Sequence, residues 1–176
     1  MSKRLVRLGR SWGRRGSVDD IMLWGVIMFF FAMVIVIGLF IVQQWNTSVQ
    51  SNPIMPVESK SFSADVAGRA TGLLDNAFLM VAFGSAIVII VLASLVRIHP
   101  IFIPLYLIAL IAYVVISAVL SNAYQDMMAD SHFAGVAATL TYTNYIMSYL
   151  PWFVAIIGTI LAVVMYKTWA NPTGVA

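Results

Sequence analysis

Residues 21–42 read IMLWGVIMFFFAMVIVIGLFIV, a 22-residue run without a charge or an amide. As an α-helix it is about 33 Å long at 1.5 Å per residue, enough for the roughly 30 Å hydrocarbon core of a bilayer. Trp24 and Trp45 flank it at interfacial positions. The preceding Ser17-Val18-Asp19-Asp20 has the form of a capping box, with an acid three residues after the serine and negative charge where the helix dipole favours it. No small-residue cleavage site precedes Gln43-Gln44-Trp45, so the run reads as an uncleaved signal anchor within residues 17–45.

Outward from this span the same pattern recurs. Residues 73–96 form a second apolar stretch, broken by Asp75 and Asn76 near its start and closed by Arg97. Arg97-Ile98-His99-Pro100 predicts a turn, because proline disfavours α conformation in the residue before it. A third span follows, with Pro104 in its first turn, and exits at Ser121-Asn122. Residues 73–122 are thus expected to form a tight transmembrane helical hairpin. A fourth span, 150–168, begins at Leu150-Pro151-Trp152 and ends near Lys167, leaving 169–176 as a tail. The fold class is an all-α integral membrane protein with four transmembrane helices.

Composition agrees: of 176 residues 61% are hydrophobic and 10% charged, against roughly a quarter charged in soluble domains. The polar remainder is too small for a soluble catalytic domain. Residues 46–72 carry Asn52-Pro53, Met55-Pro56 and scattered Glu58, Lys60, Asp65 and Arg69, and are expected to be an extracytoplasmic connector, with a short surface helix over 63–72 as the lesser alternative. Residues 123–149 leave two readings open. One is an amphipathic helix in the interface; the other is a half-buried polar extension of the last helix, kinked at Pro151.

Residues 1–16 hold Lys3, Arg4, Arg7, Arg10, Arg14 and Arg15 and no acid. At helical spacing Leu5, Leu8 and Trp12 share one face, with Lys3, Arg7, Arg10 and Arg14 opposite. This is the pattern of a basic interfacial helix with Trp12 at headgroup depth, or of a flexible topology-setting tail. Four spans put both termini, Arg97 and Lys167 on one side and only Lys60 and Arg69 on the other, so the positive-inside rule expects cytoplasmic termini. Lys3, Arg4, Arg7, Arg10, Arg14, Arg15, Trp12, Arg97 and Lys167 are accordingly the candidate contacts for anionic headgroups or an anionic partner. Nucleic acid is a further candidate for the tail.

The inventory of reactive groups argues against an enzyme. There is no cysteine, and His99 and His132 are expected at opposite faces of the bilayer. Asp130-Ser131-His132 are chain neighbours rather than a triad assembled across a fold. No phosphate loop, zinc motif, nucleophile elbow or dinucleotide fingerprint occurs, and no cofactor is expected. Asp75 is expected to act as a charge at the N-terminus of its own helix, leaving the middle of each span free of ionisable groups. Ala82-x-x-x-Ala86 and Gly158-x-x-x-Ala162 have the small-residue spacing that lets helices approach closely.

The expectation is a non-enzymatic structural or assembly component that organises lipid and contacts other membrane or shell proteins in a homo- or hetero-oligomer. In layout alone it resembles the small multi-span proteins of membrane-containing virus particles, which would put it in a viral internal membrane. An oligomeric pore, channel or small-solute transporter, and an accessory subunit of a larger membrane complex, fit the same features.

Overall fold

The computed structural model describes residues 19–94, 101 and 103–170. Among them the regular elements are all helices: α1 (Asp19–Ser51), α2 (Val57–Ser94), α3 (Ile103–Ala129), α4 (Ala134–Ala137), α5 (Thr141–Ser148) and α6 (Leu150–Ala170). Four of these, α1, α2, α3 and α6, are long and apolar enough to cross a membrane. The chain is an all-α, multi-pass membrane protein.

The polar stretch expected as a connector is mostly helix. α1 runs through 46–51 and α2 already starts at Val57, so only residues 52–56 turn. Two prolines three residues apart enforce that turn, since neither can donate a helical hydrogen bond. The Ile54 N–H donates to Asn52 Oδ1 at 3.0 Å, and the Met55 N–H to Asn52 O at 3.4 Å. Glu58 sits in the first turn of α2, where the helix dipole favours an acid. Polarity keeps a segment out of lipid but does not prevent a helix, and Ala64, Ala67 and Ala70 favour one. With 33 and 38 residues, α1 and α2 are about 50 and 57 Å long, far more than a bilayer needs.

The two pair antiparallel in a continuous register. Trp24 Nε1 donates to Ser85 Oγ at 2.7 Å, Phe31 stacks on Phe78 with centroids 5.9 Å apart, and Ser63 Oγ donates to Asn46 Oδ1 at 2.9 Å. Gln50 Nε2 closes the neck of the hairpin, donating to Lys60 O at 2.7 Å and Ser63 Oγ at 3.3 Å.

Around the bundle the order is α1, α2, α6, α3. The turn expected between the second and third spans lies outside the described residues, and α2 and α3 occupy diagonal corners with α6 packed against both. Each helix buries only a narrow stripe. On α1 this is Trp24, Met28, Ala32, Ile35, Val36 and Leu39; on α6 it is Leu150, Val154, Ile157, Leu161 and Met165. Leu23, Phe30, Val34 and Ile41 of α1 remain exposed, as lipid-facing positions do.

Close approach of α3 and α6 depends on Gly158. A Cβ there would overlap Leu110 Cδ1. The absent side chain also opens the Gly158 carbonyl to the buried Tyr106 hydroxyl, which donates to it at 2.7 Å.

Candidate functional site

The polar centre of the bundle is assembled from α2, α3 and α5. Asp75 is buried, with 5% of its surface exposed. It is the nineteenth residue of α2, and the Phe31–Phe78 and Asn46–Ser63 pairs set it opposite Val34. That is about 13 Å along α1 from Gln43, where the uncharged run ends.

The expectation that Asp75 serves the N-terminus of its own helix is corrected by this geometry: α2 begins eighteen residues earlier. The carboxylate serves a different helix. Asp75 Oδ2 accepts the Tyr142 N–H at 2.9 Å; Oδ1 accepts the Thr143 N–H at 2.7 Å and the Thr143 hydroxyl at 2.8 Å. The first N–H groups of a helix have no partner within it. Leu140 at the cap of α5 has no side chain to supply one. Asp75 is therefore an N-cap supplied from across the bundle, adding negative charge at the positive end of the α5 dipole.

A second network lies beside it. The buried Tyr124 hydroxyl donates to Asn144 Oδ1 at 2.7 Å, and Asn144 Nδ2 donates to Ala137 O at 2.7 Å, which fixes the amide. The helix breaks at Tyr149, just before Pro151, because proline has no N–H to continue the ladder. The Trp152 N–H turns to Tyr149 O at 3.0 Å, and the Ser148 carbonyl is taken by Ser121 Oγ at 3.1 Å. Ser121 Oγ in turn accepts Gln125 Nε2 at 3.2 Å. Within 123–149, residues up to Ala129 continue α3, and the short α5 (Thr141–Ser148) is followed by α6 after a break at Tyr149.

Every buried side-chain polar atom among the described residues has a partner. The described residues hold no group of three metal-ligating side chains. Next to the networks lies an open groove of about 530 Å³, lined by Gln125, Thr141, Asn144, Tyr145, Ser148 and Tyr149.

Of the residues singled out from sequence, Lys3, Arg4, Arg7, Arg10, Trp12, Arg14, Arg15 and Arg97 lie outside the described residues. Lys167 is exposed in the last turn of α6. Ala82 is buried, Gly158 meets Leu110, and Ala86 and Ala162 pack partly buried against the core. The His132 N–H donates to Asp130 Oδ1 at 2.8 Å, a local turn. Sequence reasoning missed the Asp75–Thr143 pairing, which joins residues 68 apart through backbone donors. The one available signal was a helix start at Thr141 with no capping side chain before it.

Compared with family models, with curated proteins and with solved structures, the chain has no match.

Proposed function

We propose that the chain is a non-enzymatic structural or assembly subunit of a membrane complex, which holds a partner protein on the tip of the α1–α2 hairpin. The observation that carries this reading is the hairpin itself. Its two helices continue beyond the apolar run of α1, interlocked by Asn46, Gln50 and Ser63, and at their tip Ile54 of the turn and Val57 and Phe62 at the start of α2 are 88%, 79% and 64% exposed. A rigid stalk ending in large apolar side chains is what a docking element needs. Apolar anchors surrounded by polar groups are where binding energy concentrates.

The orientation adopted is cytoplasmic termini with the hairpin tip on the other side, from the basic excess at the terminal side. The basic tail would then hold anionic headgroups on the inner surface, or nucleic acid if the membrane encloses it. A virus particle and a cellular complex would use the same architecture, and the identity of the partner separates them. A pore through a single bundle is not supported, because Met28, Val36, Leu39, Leu150 and Val154 fill its axis, so a pore would have to form between copies.

The test exploits the absence of cysteine. An I54C variant carrying a photo-crosslinker, irradiated in native membranes, is expected to give one discrete heteromeric adduct. V115C on the exposed face of α3 is expected to give none. Absence of any adduct at Ile54, with the variant correctly inserted, would sink the docking role.

A further inference from the structure

We propose that the groove between α3 and α5 is a binding site for a neutral, hydroxyl-rich headgroup, the glycosyl group of a membrane glycolipid. Asn144 lines the groove, accepts from the buried Tyr124 hydroxyl and follows Thr143, which is bonded to Asp75, so the groove is level with Asp75, beside the uncharged run of α1 rather than beyond it. Hydrogen-bonding groups at that depth are costly when exposed to hydrocarbon, and such groups mark binding sites or water-filled paths.

Asn144 is committed at both amide atoms, and Gln125 Nε2 is held by Ser121. That leaves Gln125 Oε1 and the hydroxyls of Thr141, Tyr145, Ser148 and Tyr149 lining the groove without a protein partner. They are mixed donors and acceptors with no formal charge, so they match hydroxyl groups, which also donate and accept, and not phosphate or ammonium. Tyr145 and Tyr149 present a tilted pair of rings, centroids 4.9 Å apart, 61% and 49% exposed. The electron-rich face of such a ring attracts the polarised C–H bonds along a sugar ring. The groove is open, with a volume of about 530 Å³, which gives a ring room to lie against its wall while the rest of the molecule stays outside. The exposed Val119 of α3 and Trp152 of α6 lie one or two turns away, apolar surface for the acyl chains. A lipid, unlike a free sugar, would also bury its acyl chains on that surface.

The experiment uses the full chain, purified in a non-glycosidic detergent. It is reconstituted in phosphatidylcholine nanodiscs carrying equal minor amounts of monogalactosyl diacylglycerol and phosphatidylglycerol. Retained lipid is read by native mass spectrometry after partial delipidation. The galactolipid is expected to be retained about tenfold over phosphatidylcholine, the equivalent of about 1.4 kcal/mol. Y145A and Q125L are expected to abolish that preference, and Y145F, which keeps the ring, to reduce it less. Y166A, an exposed tyrosine of α6 outside the groove, is expected to retain the full preference. Melting temperatures taken alongside identify any variant that loses lipid by unfolding. Equal retention of all three lipids, preference for phosphatidylglycerol, or a galactolipid preference that survives Y145A and Q125L in folded protein would each overturn the proposal. Displacement by free galactose at the same concentration would overturn the lipid as its source.

Discussion

Asp75 shows how one side chain settles the shape of a polar region within an apolar protein. A carboxylate there is tolerable because three hydrogen bonds and a helix dipole meet it. Removing it strands the Tyr142 and Thr143 N–H groups in a buried site. Substitution D75A is therefore expected to destabilise the folded protein by about 3 kcal/mol, the range for losing charged hydrogen bonds and leaving donors unpaired. D75N keeps the shape but turns an amide N–H₂ towards one of the backbone donors, and is expected to cost about 2 kcal/mol. T143V removes only the hydroxyl bond and is expected to cost about 1 kcal/mol. Denaturant titration in detergent micelles gives all three; a D75A protein as stable as the parent would refute the capping role. The sequence displayed Asp75 as an oddity in a span but not its partner, because the donors are backbone groups that any residue carries.

Among the elements, α3 and α6 and the α1–α2 hairpin illustrate two kinds of pairing. In the first, Gly158 lets Leu110 and Tyr106 reach the neighbouring backbone. G158A is expected to cost about 2 kcal/mol by overpacking. Combined with L110A it is expected to cost less than the sum of the two single changes, since the smaller residue makes room for the added methyl. Simple additivity in that double-mutant cycle would mean the helices do not meet there. In the hairpin the pairing is polar, through Asn46, Gln50, Lys60 and Ser63. An N46C/S63C variant, with no native thiol to compete, is expected to form its disulfide rapidly on mild oxidation, while N46C/R69C is not. Equal crosslinking of both pairs would indicate a loose loop instead of a helical stalk. Hydropathy windows made the four spans readable, because length and apolar content are what a bilayer demands. They could not show the polar continuation of α1 and α2, where helix formation rests on alanines and on side-chain interlock across the neck.

For the whole molecule, the order of helices around the bundle was not written in the chain. Each span is apolar on nearly all sides, so no stripe marks which face turns inward. The small residues that do mark contacts, Gly158 among them, become informative only when their neighbours are known. Charge, by contrast, acts on the molecule as a unit and is readable without a structure. Four spans would put Lys3, Arg4, Arg7, Arg10, Arg14, Arg15, Arg97 and Lys167 on the terminal side and only Lys60 and Arg69 on the hairpin side. Orientation follows the basic residues close to span ends and depends little on acids. A membrane-impermeant maleimide applied to intact cells is therefore expected to label I54C at the exposed hairpin tip and to leave K167C unlabelled until the membrane is opened. Exchanging Arg4, Arg7, Arg10 and Arg14 for glutamine removes most of the excess. It is expected to produce a mixed population in which part of the K167C protein labels from outside. The same change is expected to weaken binding of the isolated 1–16 peptide to anionic vesicles by about 1 kcal/mol per charge lost. Labelling of K167C but not I54C in the unaltered chain would reverse the orientation. The docking tip would then face the cytoplasm and meet a partner there, while the arginine tail faced the outer surface.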